Sequence, residues 1–176
     1  MARTYWLTPF QPLHILDGAA FTTFTTFQSI APAPGIVVPA NLLEPGSELW
    51  FEADGEFSNT GTPTLGLGFL YGATALAAGT ALTTITTAVS WPWHAEWKGR
   101  VRTVGSTGTI QGSGWWMLGI SLTAFSVQQA MPATLALRTV TIDTTTASAL
   151  APGAVWGTSS VSNTIKVNRF SATLVT

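Results

Sequence analysis

The chain has 176 residues, no cysteine, a net charge of −1 and only 9% charged residues, against about 25% in average proteins. One domain of this length buries enough surface to need no staple, and the lack of cysteine excludes disulfides, zinc thiolates and thiol nucleophiles. The near-neutral balance speaks against nucleic acid, which needs a basic stripe, and so little charge suits a protein docked in an assembly better than a free monomer.

Residues 1–35 hold four of the ten prolines, at Pro9, Pro12, Pro32 and Pro34. The opening "MARTYWLTPFQPLHILDGAA" lacks an uninterrupted apolar run, so no signal peptide is read there. "FTTFTTF" repeats Phe21, Phe24 and Phe27 at a spacing of three, which fits neither helix nor strand well. "APAPG" reads as an extended link. The region is expected to be an arm lying along another surface, with Tyr5, Trp6, Phe10, Phe21, Phe24 and Phe27 as its docking aromatics.

From residue 36 to 176 short alternating runs rich in Thr, Val and Ile are separated by Gly, Pro, Asn and Ser clusters. This is the pattern of an all-β sandwich or barrel. Strands are expected at 47–57, 63–71, 82–90, 95–104, 108–112, 115–127, 134–143 and 163–175. The Ala-rich 73–82 reads as a helical turn, and 150–163 as a looped crossing with a short strand at Trp156. The uncharged stretch 57–95 has no 18 consecutive apolar residues, so no membrane partner is expected.

In the first of these strands Trp50, Glu52, Asp54 and Glu56 alternate with Phe51, Ala53, Gly55 and Phe57, giving one acidic and one apolar face. In "EWKGRVRTV" Lys98, Arg100 and Arg102 share one face. An antiparallel pairing would set Glu52 near Arg102, Asp54 near Arg100 and Glu56 near Lys98, a charge ladder within or between subunits. Three acids beside three bases have the wrong electrostatics for a general acid. His14 and His94 show no ligand spacing, and no nucleophile elbow, P-loop or dinucleotide fingerprint is present. No catalytic residue, metal or cofactor is expected. Trp91, Trp93, Trp115 and Trp116 are expected in the core or at a subunit interface, with stacking on a glycan as the alternative.

The succession "GSELWFEADGEFSNTGTPTLGLGFLYG", "EWKGRVRTVGSTGTIQGSG" and "VWGTSSVSNTIKVNRFSATLV" resembles a β-jelly-roll module of tailed-bacteriophage virion proteins. The matching motifs are Gly61 to Leu65, Thr103 to Thr109 and Trp156 to Ile165, and the likeness spans about residues 40–176. It implies an antiparallel two-sheet jelly roll of the tumour-necrosis-factor type that forms homotrimers. Such modules occur as capsid decoration proteins, head fibres and tail-fibre tips. With no coiled coil or shaft in the sequence, the implied role is decoration of a phage head. The partner would be the major capsid protein and the arm the tether. The alternative is a glycan-binding tail module, and a depolymerase is a further rival.

Overall fold

The computed structural model of the chain describes residues 13–14, 18–31, 35–126, 128–134 and 138–175. They form an antiparallel two-sheet sandwich of jelly-roll type. Among the described residues there are thirteen strands: β1 (Leu13–His14), β2 (Gln28–Ser29), β3 (Ile36–Val38), β4 (Glu48–Ser58), β5 (Thr64–Tyr71), β6 (Thr74–Ala78), β7 (Leu82–Thr83), β8 (Trp91–Thr103), β9 (Gly108–Leu118), β10 (Gln129–Met131), β11 (Thr139–Ile142), β12 (Ser148–Trp156) and β13 (Thr164–Val175). One sheet runs β1-β13-β4-β8-β9-β10, with β11 also on β9. The other runs β2-β12-β5-β6, with β3 on β12 and β7 on β5.

Strand β4 shows why the sequence folds this way. Leu49, Phe51, Ala53, Gly55 and Phe57 are buried and the residues between them are not, so the period-two reading of its faces holds. Phe51 stacks on Trp97 of β8, with ring centroids 5.4 Å apart, and touches Phe69 and Phe170 at 5.3 and 6.1 Å. These rings close the gap between the sheets. Aromatic pairs of this kind add about 0.5–1.5 kcal/mol beyond the area they bury.

Several expected boundaries are corrected. Thr74–Ala78 is a strand, not a helical turn. Residues 108–118 are one strand rather than two. The glycines of "QGSGW" are not a break, because a Cβ on Gly112 would lie 2.2 Å from the Trp97 ring and one on Gly114 2.0 Å from the Glu96 carbonyl. Of 82–90 only Leu82–Thr83 is strand; Thr87 and Ser90 have φ of 61° and 49°, which breaks an extended chain. The first half of the crossing at 150–163 belongs to strand β12, flanked by β5 on one side and β2 and β3 on the other.

The arm is also corrected. Ile30 and Phe24 are buried in the core, Phe21 packs against it, and Phe21 bridges to Ile165. Phe27 covers Gly153, where a Cβ would meet its ring at 2.6 Å. These three phenylalanines serve the chain's own sandwich, so the expected boundary at residue 35 cuts through it. Residues 28–29 and 36–38 lie along the same edge of β12. The Pro152 carbonyl accepts the Ile30 N–H at 3.0 Å, so its missing donor faces the same edge, between the two short pairings, where a proline is tolerated. Tyr5, Trp6 and Phe10 lie outside the described residues, as does the side chain of His14.

Candidate functional site

The chain has fifteen formally charged side chains, seven basic and eight acidic. Ten of them stand on the outward face of the β13-β4-β8 part of one sheet: Glu48, Glu52, Asp54 and Glu56 on β4, Glu96, Lys98, Arg100 and Arg102 on β8, and Lys166 and Arg169 on β13. The expected pairing of β4 with β8 is present and antiparallel, but its register differs. Glu48 opposes Arg100, Trp50 opposes Lys98, Glu52 opposes Glu96 and Asp54 opposes His94. The pairs Glu52–Arg102, Asp54–Arg100 and Glu56–Lys98 are therefore not formed.

The interior decides the register. The observed alignment places Phe51 opposite Trp97, Gly55 opposite Trp93 and Phe57 opposite Trp91. Burying one such ring is worth roughly 1.5–3 kcal/mol, against about 0.2–1 kcal/mol for a cross-strand ion pair. The aromatic alignment wins, and the acids find other partners.

Those partners come from β13. Lys166 Nζ reaches Glu56 Oε1 at 3.5 Å and Arg169 Nε donates to Asp54 Oδ1 at 2.6 Å. Arg169 Nη2 donates to Glu52 Oε1. A bulge between Val167 and Arg169 makes this possible: it inserts Asn168 and turns Arg169 outward opposite Asp54. The Asp54 hydrogen bond is the main cause that raises the Arg169 guanidinium above its ordinary range, with the Asp54 and Glu52 charges adding to it and partial desolvation opposing. On β8, His94 Nε2 lies 3.2 Å from Glu96 Oε1, and its ring is 5.0 Å from Trp115. Ligand atoms of Glu52, Asp54 and His94 lie within 4.8 Å of one another, a spacing that a cation could use, but Arg169 already supplies the positive charge there.

The three predicted bases have separate roles. Arg100 grips Glu48 Oε1 through Nε at 3.1 Å and Nη2 at 2.8 Å. Lys98 Nζ sits 4.2 Å from the Trp50 ring centroid, a cation–π contact. Arg102 Nη1 donates to the Gln111 side chain. Among the four tryptophans expected in the core or at an interface, Trp93 and Trp116 are fully buried, Trp91 packs against the core and Trp115 is half-buried on the charged face. Trp50, which that expectation did not include, is the more exposed ring.

One end of the sandwich has the opposite character. Strand pairings Ser58–Thr164, Phe57–Trp91, Trp93–Leu118 and Trp156–Leu65 bring four loops together there: 59–63, 84–90, 119–126 and 157–163. None of them contains Asp, Glu, Lys, Arg or His. Among the described residues, six of the ten exposed large apolar side chains lie in these loops: Ile85, Val89, Ile120, Leu122, Phe125 and Val161. The end is also braced. Buried Asn59 donates to the Gly61 and Ile85 carbonyls and to Thr84 Oγ1, and accepts the Ala88 N–H. Neutral loops are easy to see in the sequence, but their convergence at one end depends on strand pairing.

Comparison with family models, with curated proteins and with solved structures finds no match to this chain. Among the described residues no helix is long and apolar enough to cross a membrane.

Proposed function

We propose that the chain is a non-enzymatic structural protein of a virion, a capsid decoration protein that forms homotrimers and seats its uncharged loop end on the major capsid protein of a phage head. The observation that carries this is the segregation of charge: ten of fifteen charges on one sheet face, and six exposed apolar side chains on a charge-free end. Apolar side chains gathered in one region mark a contact surface. Charged groups are depleted at the centres of protein interfaces because removing them from water is costly. Bracing by Asn59 reduces the ordering cost of docking. The virion setting and the trimer rest on the sequence resemblance. The tether in this proposal is confined to Tyr5, Trp6 and Phe10, because Phe21, Phe24 and Phe27 are committed to the sandwich.

The test is co-sedimentation with capsids assembled without this chain. Leu122→Asp with Val161→Asp is expected to abolish binding, while Arg100→Gln leaves it intact. Binding unchanged by the double substitution would overturn the docking surface. Light scattering of the free chain is expected to give three times its 18.5 kDa; a monomer at all concentrations would remove the trimer.

A further inference from the structure

The charged face is not evenly balanced. Toward the end of β8 a depression of about 330 Å³ is lined by Lys98, Arg100, Arg102 and Arg138 together with Glu48, Gln111 and Ser113. Four of the seven Lys and Arg residues of the whole chain meet there. Glu48 is the one carboxylate among these lining residues, and both its oxygens are engaged: Oε1 accepts from Arg100 and Oε2 accepts the Trp50 indole N–H at 3.1 Å. Among the described residues Arg102 and Arg138 make no ion pair. Like charges gathered at one place repel, so a chain with so few cations gains nothing for its fold by grouping them.

Two further depressions adjoin this one, of about 330 and 250 Å³, and Lys98 is a wall of all three. One is lined by Trp115, Glu96 and Ser113, the other by Trp50, Glu52 and Thr173. Cations, indole rings and hydrogen-bonding side chains are thus contiguous on an open, nearly flat sheet face. Guanidinium groups match the planar geometry of carboxylate and the oxygens of sulfate. Indole rings offer a flat apolar surface with a polar tip. The carboxylates of Glu52 and Glu96 accept hydrogen bonds from sugar hydroxyls, which a polyphosphate chain does not offer.

We propose that this face binds a saccharide carrying carboxylate or sulfate groups. The anionic group lies between Arg102 and Arg138, and a sugar ring several units further along the saccharide lies against Trp115. The site does not depend on which part of a virion holds the chain.

Calorimetric titration of the full chain with hexagalacturonate, a heparin hexasaccharide, maltohexaose and inorganic tripolyphosphate tests this. Hexagalacturonate, the heparin fragment or both are expected to bind, which separates carboxylate from sulfate recognition; maltohexaose and tripolyphosphate are expected not to. Arg102→Gln with Arg138→Gln should weaken binding at least tenfold and flatten its salt dependence. Trp115→Ala should weaken it about tenfold with the salt dependence kept, and Trp115→Phe should retain it, since a flat ring rather than a charge is lost or kept. Failure of both acidic saccharides to bind would overturn the proposal. So would equal binding of tripolyphosphate, or affinity unchanged in the double arginine variant or in Trp115→Ala.

Discussion

Gly55 sits in the middle of the acidic strand because the Trp93 indole passes beside it. Trp93 Nε1 donates to the Lys166 carbonyl at 3.0 Å, and a Cβ on Gly55 would stand 1.9 Å from that carbonyl oxygen and 2.8 Å from the indole nitrogen. Gly55→Ala is therefore expected to destabilise the fold by about 2–3 kcal/mol, from overpacking and loss of a buried hydrogen bond, measured by urea unfolding. Arg169→Gln should do far less. It removes two ion pairs, but the side chain is 45% exposed, so the loss should be about 0.5–1 kcal/mol and should shrink in 1 M salt, where the Debye length is about 3 Å. Asp143 gives a pH signature. Its Oδ1 accepts from the Thr145 N–H at 2.8 Å and hydroxyl at 2.6 Å, and these bonds hold its carboxyl below the ordinary 3.8. A depressed carboxyl stabilises the fold above its unfolded value, and that contribution is lost as pH falls through the folded one. The Thr145 amide resonance should titrate with a midpoint below 3.8.

At the scale of elements, strand β4, the β4–β8 pairing and the alternation of their faces were legible in the sequence, because period-two burial leaves a period-two pattern. The register was not. Charges at 52–56 and 98–102 suggested one alignment, and the buried rings at 51, 93 and 97 imposed another. Lys166 and Arg169 were unreadable as partners for a simpler reason. They are three residues apart, so strict alternation puts them on opposite faces until the bulge at Asn168 is known. Strand β12 was hidden by its composition: "SALAPGAV" has a single β-branched residue, Val155, and Gly153 is held small by the crowding of Phe27 and Leu70. The same packing makes residues 18–31 part of the fold. Ile30→Ala should cost about 2–4 kcal/mol, and a chain starting at residue 36 should lose cooperative unfolding, whereas one starting at residue 13 keeps all described strands. Asn59→Ala should loosen loop 84–90 at a cost of about 2 kcal/mol, because it strips partners from buried groups; faster amide exchange at Ala88 would report it.

At the scale of the whole molecule, the sandwich has a charged face and a charge-free end, and the two suit different partners. The apolar loops fit a protein surface that excludes water, and the basic depression with its tryptophans fits a hydrated acidic saccharide. Both can be engaged at once, because they lie on different parts of the body. The four loops carry no charge, so docking through them should be nearly independent of salt, while saccharide binding should weaken steeply as salt rises.

Hydrogen–deuterium exchange of the free chain against the same chain on assembled capsids tests the docking account most directly. The account predicts protection of loops 84–90, 119–126 and 157–163, with the outward face of β8 unchanged. Protection confined to β4, β8 and β13, with those loops exchanging as in the free chain, would contradict it.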